Sequence, residues 1–235
     1  MGIFIVIAGC AQTPSAPPGP EPPQNLLGAT DQLQLVTELS LNLAAKYGGE
    51  NVLVVLEIDN TLLTNKLDDQ LDSCNPAAQD DQAPVSMMRP FQEDAADQVL
   101  RIQEAGLKAI VLTSRAPDCR RQTFEDLRSN HLSFAASAWP PLQGYPEPFL
   151  PQGAERSVAY YEGVYFTDGQ NKGLMLKALL EKTGTPKPTL IVIADSDRDS
   201  LNAVMKTFSW TATKVHAWRY TREASTEVIK TAAGN

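Results

Sequence analysis

The stretch Asn51-Val52-Leu53-Val54-Val55-Leu56-Glu57-Ile58-Asp59-Asn60-Thr61 passes from apolar to polar within a few residues. Residues 51–58 are nearly continuously apolar, and an uninterrupted run of this length suits a strand covered on both faces, as in a parallel sheet. Asp59 to Thr64 then reads as a polar turn, because Asp and Asn side chains stabilise turns through their own backbone.

Two runs of the same kind lie further along the chain, Leu107 to Leu112 (LKAIVL) and Thr189 to Ala194 (TLIVIA). Gly163 to Phe166 (GVYF) and Thr213 to Trp218 (TKVHAW) are weaker strand candidates. Helical patterns separate them. Leu33, Val36, Leu39 and Leu43 recur at helical steps across residues 31–47, with Gly48-Gly49 as a stop. A second helix is expected from Arg89-Pro90 to Ala105, with Phe91, Ala95, Val99 and Ile102 on one face. A third starts at Pro117, which fits a first helical turn where its missing N–H costs nothing. A fourth spans Lys172 to Lys182 and ends at Gly184. Strands alternating with helices imply an α/β fold with a mainly parallel sheet and helices on both faces. Sites in such sheets lie beyond the carboxyl ends of the strands.

The flanks are of another character. Met1 to Gly9 is apolar, ends at Cys10, and is too short to span a bilayer, which takes ~20 apolar residues. Small residues before a Cys suggest a processed signal segment over residues 1–10. Ile7-Ala8-Gly9-Cys10 resembles a bacterial lipobox, which implies a lipidated Cys10 and a protein anchored in the bacterial envelope, facing the periplasm or the cell exterior. Residues 11–29 are expected to be a tether, since the Pro-dense start of that stretch favours extended, solvated chain. Residues 30–235 would then form the folded domain. Its segments near 65–88 and 133–162 lack a clear period and are expected to be small cap insertions. In an oxidising compartment Cys74 and Cys119 are able to bridge, or to remain separate thiols. A net charge of −8 argues against nucleic acid as a partner, because phosphate backbones select for Lys and Arg. It leaves a small phosphorylated ligand open, since a pocket can be locally basic on an acidic protein. Nothing in the chain points to an oligomeric state.

The expected strand ends carry Glu57 and Asp59, Thr113 and Ser114, and Asp195, Asp197 and Asp199. Clustered carboxylates repel one another, and Mg2+, which takes hard oxygen ligands, would relieve that repulsion. A nearby Lys and a hydroxyl would complete an outline for phosphoryl transfer. Glu57-Ile58-Asp59-Asn60-Thr61 resembles the first motif of the haloacid-dehalogenase-like (HAD) superfamily, Asp-x-Asp-x-Thr. Thr113 resembles the second motif, Lys172 in Gln170-Asn171-Lys172-Gly173 the third, and Asp195 with Asp199 the acidic pair of the fourth. The resemblance runs from about Val52 to Val204 and includes secreted and lipoprotein phosphatases.

That resemblance implies a HAD-like Rossmannoid three-layer sandwich and a Mg2+-dependent phosphohydrolase acting on a small phosphomonoester. By it, the first acidic residue attacks phosphorus, and Asp59 protonates the leaving group and then activates water. Thr113 would bond the phosphoryl oxygens and Lys172 would offset negative charge. Thr61, Ser114 and Arg115 would lie against the substrate. Glu57, Asp59 through its carbonyl, Asp195 and Asp199 would hold or orient the metal.

Glu57 departs from the pattern, which has Asp at that place. One more methylene moves the carboxylate by roughly 1 Å, a displacement that can cost ~100-fold in rate. Three readings stay open: a slow Glu57 nucleophile, a Glu57 that only binds metal while a water attacks or nothing does, and a Glu57 that was engineered or is a sequence error where the natural residue is Asp. Plainer roles stand beside the functional ones. Asp59-Asn60 can be a simple turn, Thr113 or Ser114 a helix cap, Lys172 a solvated helix residue, and Asp197 a cap. Arg115 can contact substrate or form a salt bridge. His131 and His216 have no partners at ligand spacing. Trp139, Tyr145, Phe149, Tyr160 and Tyr161 can line a substrate mouth or pack beneath a loop.

Overall fold

The computed structural model describes residues 21–65 and 86–222. The proposed signal segment with Cys10, the start of the tether, Cys74 and most of the 65–88 insertion lie outside the described residues.

The described chain is an α/β fold with a seven-stranded, mainly parallel sheet. Its strands are β1 (Leu26–Thr30), β2 (Val52–Leu56), β5 (Lys108–Thr113), β6 (Ala159–Tyr161), β7 (Val164–Phe166), β8 (Leu190–Asp195) and β9 (Lys214–Tyr220), in the order β1-β9-β8-β2-β5-β7-β6. Every neighbouring pair is parallel except β6 with β7. Strands β3 (Leu63–Asn65) and β4 (Met88–Pro90) make a separate antiparallel pair.

The alternation of side chains along each strand divides the core in two. Val52, Val54, Leu56, Ala109, Val111, Val192 and Ala194 face one layer, which receives Leu33 and Val36 of α1 (Leu33–Tyr47), Val99 and Ile102 of α2 (Ala95–Glu104) and Leu127 of α3 (Arg120–Ser129). Leu53, Val55, Ile110, Leu112, Ile191 and Ile193 face the other, against Met175, Leu176 and Leu179 of α4 (Lys172–Lys182) and Leu201, Val204 and Phe208 of α5 (Arg198–Phe208). This is a three-layer sandwich of Rossmann type. The central runs lack polar alternation because both of their faces are covered.

The connections locate the functional end. From β2 the chain moves outward through α2 to β5 and through α3 to β7. It then returns through α4 to β8, on the opposite side of β2, and continues through α5 to β9. The switch point, where crossovers diverge and leave a crevice, is therefore between β2 and β8.

Several local expectations change. Arg89-Pro90 does not open a helix: Met88–Pro90 pairs with Leu63–Asn65, and α2 begins at Ala95. The Phe91 amide donates to the Leu62 carbonyl, so a long-range backbone pairing overrides the local helical period. Residues 26–29, assigned to the tether, belong to β1, which lies along β9. The loop-rich stretch 133–162 ends in β6, the outer strand of a hairpin with β7.

Candidate functional site

Asn60 adopts φ 56°, a left-handed conformation that Asn tolerates, and its amide donates to the Leu63 carbonyl. This turn after β2 presents Glu57 and Asp59 at the switch point. Glu57 is 5% exposed, Lys172 3% and Asp195 1%. The Lys172 ammonium is paired with Glu57 Oε2 and lies 2.6 Å from Asp195 Oδ2. Glu57 Oε1 accepts from the Ile58 amide at 2.8 Å, and Asp195 Oδ1 accepts from the Asp197 amide at 2.8 Å.

Lys172 reaches this place because α4 begins there. Asn171 caps the helix by accepting from the Leu174 amide. Burial pulls the Lys172 ammonium below its ordinary pKa, and Asp195 and Asp197 oppose that only in part. Burial likewise raises Asp195, against the opposing pull of Lys172.

A second group adjoins the first. The Arg115 guanidinium forks onto Asp59, with Nη2 at 2.8 Å from Oδ1 and Nε at 2.9 Å from Oδ2. Its Nη1 donates to Asp126 Oδ2 at 2.8 Å and to Thr123 Oγ1 at 3.1 Å, both on α3 and both fully buried. Burial works against the charge of Arg115, but Asp59 and Asp126 outweigh it and raise its pKa.

The remaining expected residues divide. Thr113 ends β5, fully buried, and its hydroxyl oxygen accepts from the Arg115 amide. Thr61 is also fully buried, and its hydroxyl accepts from the Ser196 amide, which braces the loop after β2 against the loop after β8. Ser114 is exposed, and its carbonyl accepts from Gly169. Asp197 is the N-cap of α5, accepting from the Asp199 and Ser200 amides. Asp199 is exposed in the first turn of that helix. Trp139 and Tyr160 are buried in one core cluster, on which Tyr145 and Phe149 pack, and Tyr161 is buried in the other, so these aromatics fill the core rather than line a mouth. His216 lies on β9, half-buried.

Asp126, Thr123, Ser196 and Gly173 were not singled out from sequence as site residues. A buried Asp and Thr on a helix at i and i+3 are a weak signal, and only the partner at Arg115 gives them meaning. Gly173 carried a local signal, as the glycine beside the candidate Lys.

Among the described residues, no group of three or more His, Cys, Asp or Glu is gathered as a metal centre. Lys172 and Arg115 stand between the carboxylates instead. The donor set nonetheless fits Mg2+ on its chemistry. Two buried carboxylates, Glu57 and Asp195, share the single ammonium of Lys172, and both supply oxygen. An oxygen-only set of this kind suits a hard divalent cation.

Residues 82–233 match the family model described as a protein of unknown function (DUF2608). No curated protein and no solved structure matches the chain.

Proposed function

The chain belongs to the DUF2608 family, whose description names no activity, and we propose from its own site that it is a HAD-like Mg2+-dependent phosphohydrolase of small phosphomonoesters, slowed by Glu57. The observation that carries this reading is the buried Glu57–Lys172–Asp195 cluster at the β2/β8 switch point, with Asp59 and Thr113 beside it.

Glu57, Asp195 and the Asp59 carbonyl would hold Mg2+, with Asp199 near by on α5. When bound, the ion supplies Lewis-acid polarisation of a phosphoryl oxygen. Thr113, whose oxygen accepts from the Arg115 amide, has a hydroxyl hydrogen to donate to the phosphoryl group. Glu57 attacks phosphorus, the ester P–O bond breaks, and Asp59, having first taken up a proton from solvent, gives that proton to the departing alkoxide. Asp59 then takes a proton from water as the water attacks the acyl phosphate, releasing inorganic phosphate and restoring Glu57. Lys172 offsets the charge on Glu57 throughout.

Placement in an oxidising compartment has its own support. Cys119 is disulfide-bonded, its partner lies outside the described residues, and such bonds persist mainly outside the cytosol. Together with the lipobox-like Ile7-Ala8-Gly9-Cys10 this supports a lipid-anchored protein of the bacterial envelope. Among the described residues no helix is long and apolar enough to cross a membrane.

One observation favours a second reading, a silent protein that binds metal or a phosphorylated ligand. Both oxygens of Glu57 are engaged, Oε1 by the Ile58 amide and Oε2 by Lys172, which restrains the carboxylate from in-line attack. The test is turnover of phosphate esters by the full chain with and without Mg2+, beside Glu57→Asp. Mg2+-dependent turnover lost on Asp59→Asn supports the enzyme. No turnover by either form, with thermal stabilisation by Mg2+, supports the silent protein.

A further inference from the structure

Asp59 is not left to find its own orientation. Both of its carboxylate oxygens face one guanidinium, at 2.8 and 2.9 Å, the planar two-point match that Arg makes with a carboxylate and that a Lys cannot reproduce. The guanidinium is itself held. Arg115 is 6% exposed, its Nη1 is fixed by Asp126 and Thr123, and its amide donates to Thr113 Oγ1 at 3.2 Å.

Asp126 is anchored in turn. It is fully buried, its Oδ1 accepts from Gln122 at 2.9 Å, and its carbonyl accepts from Asn130 at 2.7 Å. A chain of charge-assisted contacts thus runs from α3, behind the site, to the carboxylate at its front. A buried charge held on so many sides has one geometry, because any other leaves Asp126 or Arg115 unpaired at high cost.

We propose that Arg115 is a positioning residue for Asp59, with Asp126 as its anchor, and that it acts on proton delivery to the leaving group. This rests on the phosphohydrolase reading. The alternative, an Arg115 that grips the substrate phosphate through two N–H groups, requires the guanidinium to give up a present partner, because four of its five N–H groups are already engaged.

The two roles leave different signatures. An alkyl phosphate has a poor leaving group and needs the proton from Asp59, whereas 4-nitrophenyl phosphate has a good leaving group and hardly does. A misplaced acid harms the first ester selectively. A lost phosphate contact, or a general structural defect, harms both alike.

The experiment measures kcat/KM of the full chain with Mg2+ on glycerol phosphate and on 4-nitrophenyl phosphate, for wild type, Arg115→Lys and Asp126→Asn, each in the Glu57 and Glu57→Asp backgrounds. Arg115→Lys should lower the alkyl value ~100-fold and the nitrophenyl value less than ~5-fold, in line with the contribution of a well-placed general acid. Asp126→Asn should show the same selectivity at smaller size, and it carries the test if Arg115→Lys does not fold. Equal losses on the two esters, or no loss, overturn the positioning role while leaving the phosphohydrolase reading intact. Absence of turnover in both parent backgrounds overturns the phosphohydrolase reading and the positioning role with it.

Discussion

Gly173 and Ala203 are in direct backbone contact: a Cβ on Gly173 would lie 2.3 Å from the Ala203 carbonyl oxygen and 2.5 Å from Thr207 Oγ1. Only a residue without a side chain lets α4 approach α5 this closely, and Lys172 is its immediate neighbour in sequence. The close approach therefore sets where the ammonium stands between Glu57 and Asp195. Gly173→Ala should destabilise the chain by about 1–3 kcal/mol, the usual cost of overpacking, and by more than Gly49→Ala, where an added Cβ would meet nothing within 4 Å. Chemical denaturation of the two variants checks it.

Lys172 is the cation that makes two buried carboxylates tolerable. Lys172→Met should cost about 3–5 kcal/mol at pH 7, because it leaves Glu57 and Asp195 buried without their partner. Glu57→Gln in the same chain should recover part of that loss, since one of the two charges is then gone. A double-mutant cycle by urea denaturation measures the coupling, and additive losses would mean the ion pair contributes nothing to stability.

His216 gives the fold an acid-sensitive point away from the site. Its Nε2 lies 3.1 Å from the Gln24 carbonyl, and its buried Nδ1 has no hydrogen-bond partner among the described residues. Burial lowers its pKa below the ordinary 6.5, against the smaller opposing effect of Gln24. The unfolded chain therefore takes up a proton at a pH where the folded chain still resists it. The stability that neutral His216 contributes is present above pH 6.5 and declines as pH falls through the folded pKa. His216→Gln should flatten that part of the stability–pH curve, as read by thermal melts between pH 7.5 and ~4.5.

Cys119 closes the turn that leads into α3, the helix bearing Asp126. Its disulfide should add about 2–4 kcal/mol, so a reductant should lower the melting temperature of the full chain. Peptide mapping without reduction should recover Cys119 joined to Cys74, and a Cys119–Cys10 peptide would count against lipidation of Cys10.

The central strands and their order of appearance were legible in the amino-acid sequence, because a strand buried on both faces has to be apolar throughout and 52–56, 108–112 and 190–194 have no other use for such runs. The same is true of the polar residues at the ends of those strands, since they sit where an open α/β sheet exposes its crevice. The role of Asp197 as a helix cap was also readable locally. Pairings between distant segments were not. Met88–Pro90 becomes a strand only because Leu63–Asn65 lies beside it, and Leu26–Thr30 only because β9 offers an edge. The site shows the same limit. Glu57 and Lys172 are 115 residues apart and Arg115 and Asp59 are 56 apart, so which cation meets which carboxylate depended on where the crossovers placed α4 and the end of β5. Residue type determined what chemistry the chain carries to the crevice. Packing, down to the missing Cβ of Gly173, decided that Lys172 sits between Glu57 and Asp195, and that Arg115 grips Asp59 and Asp126.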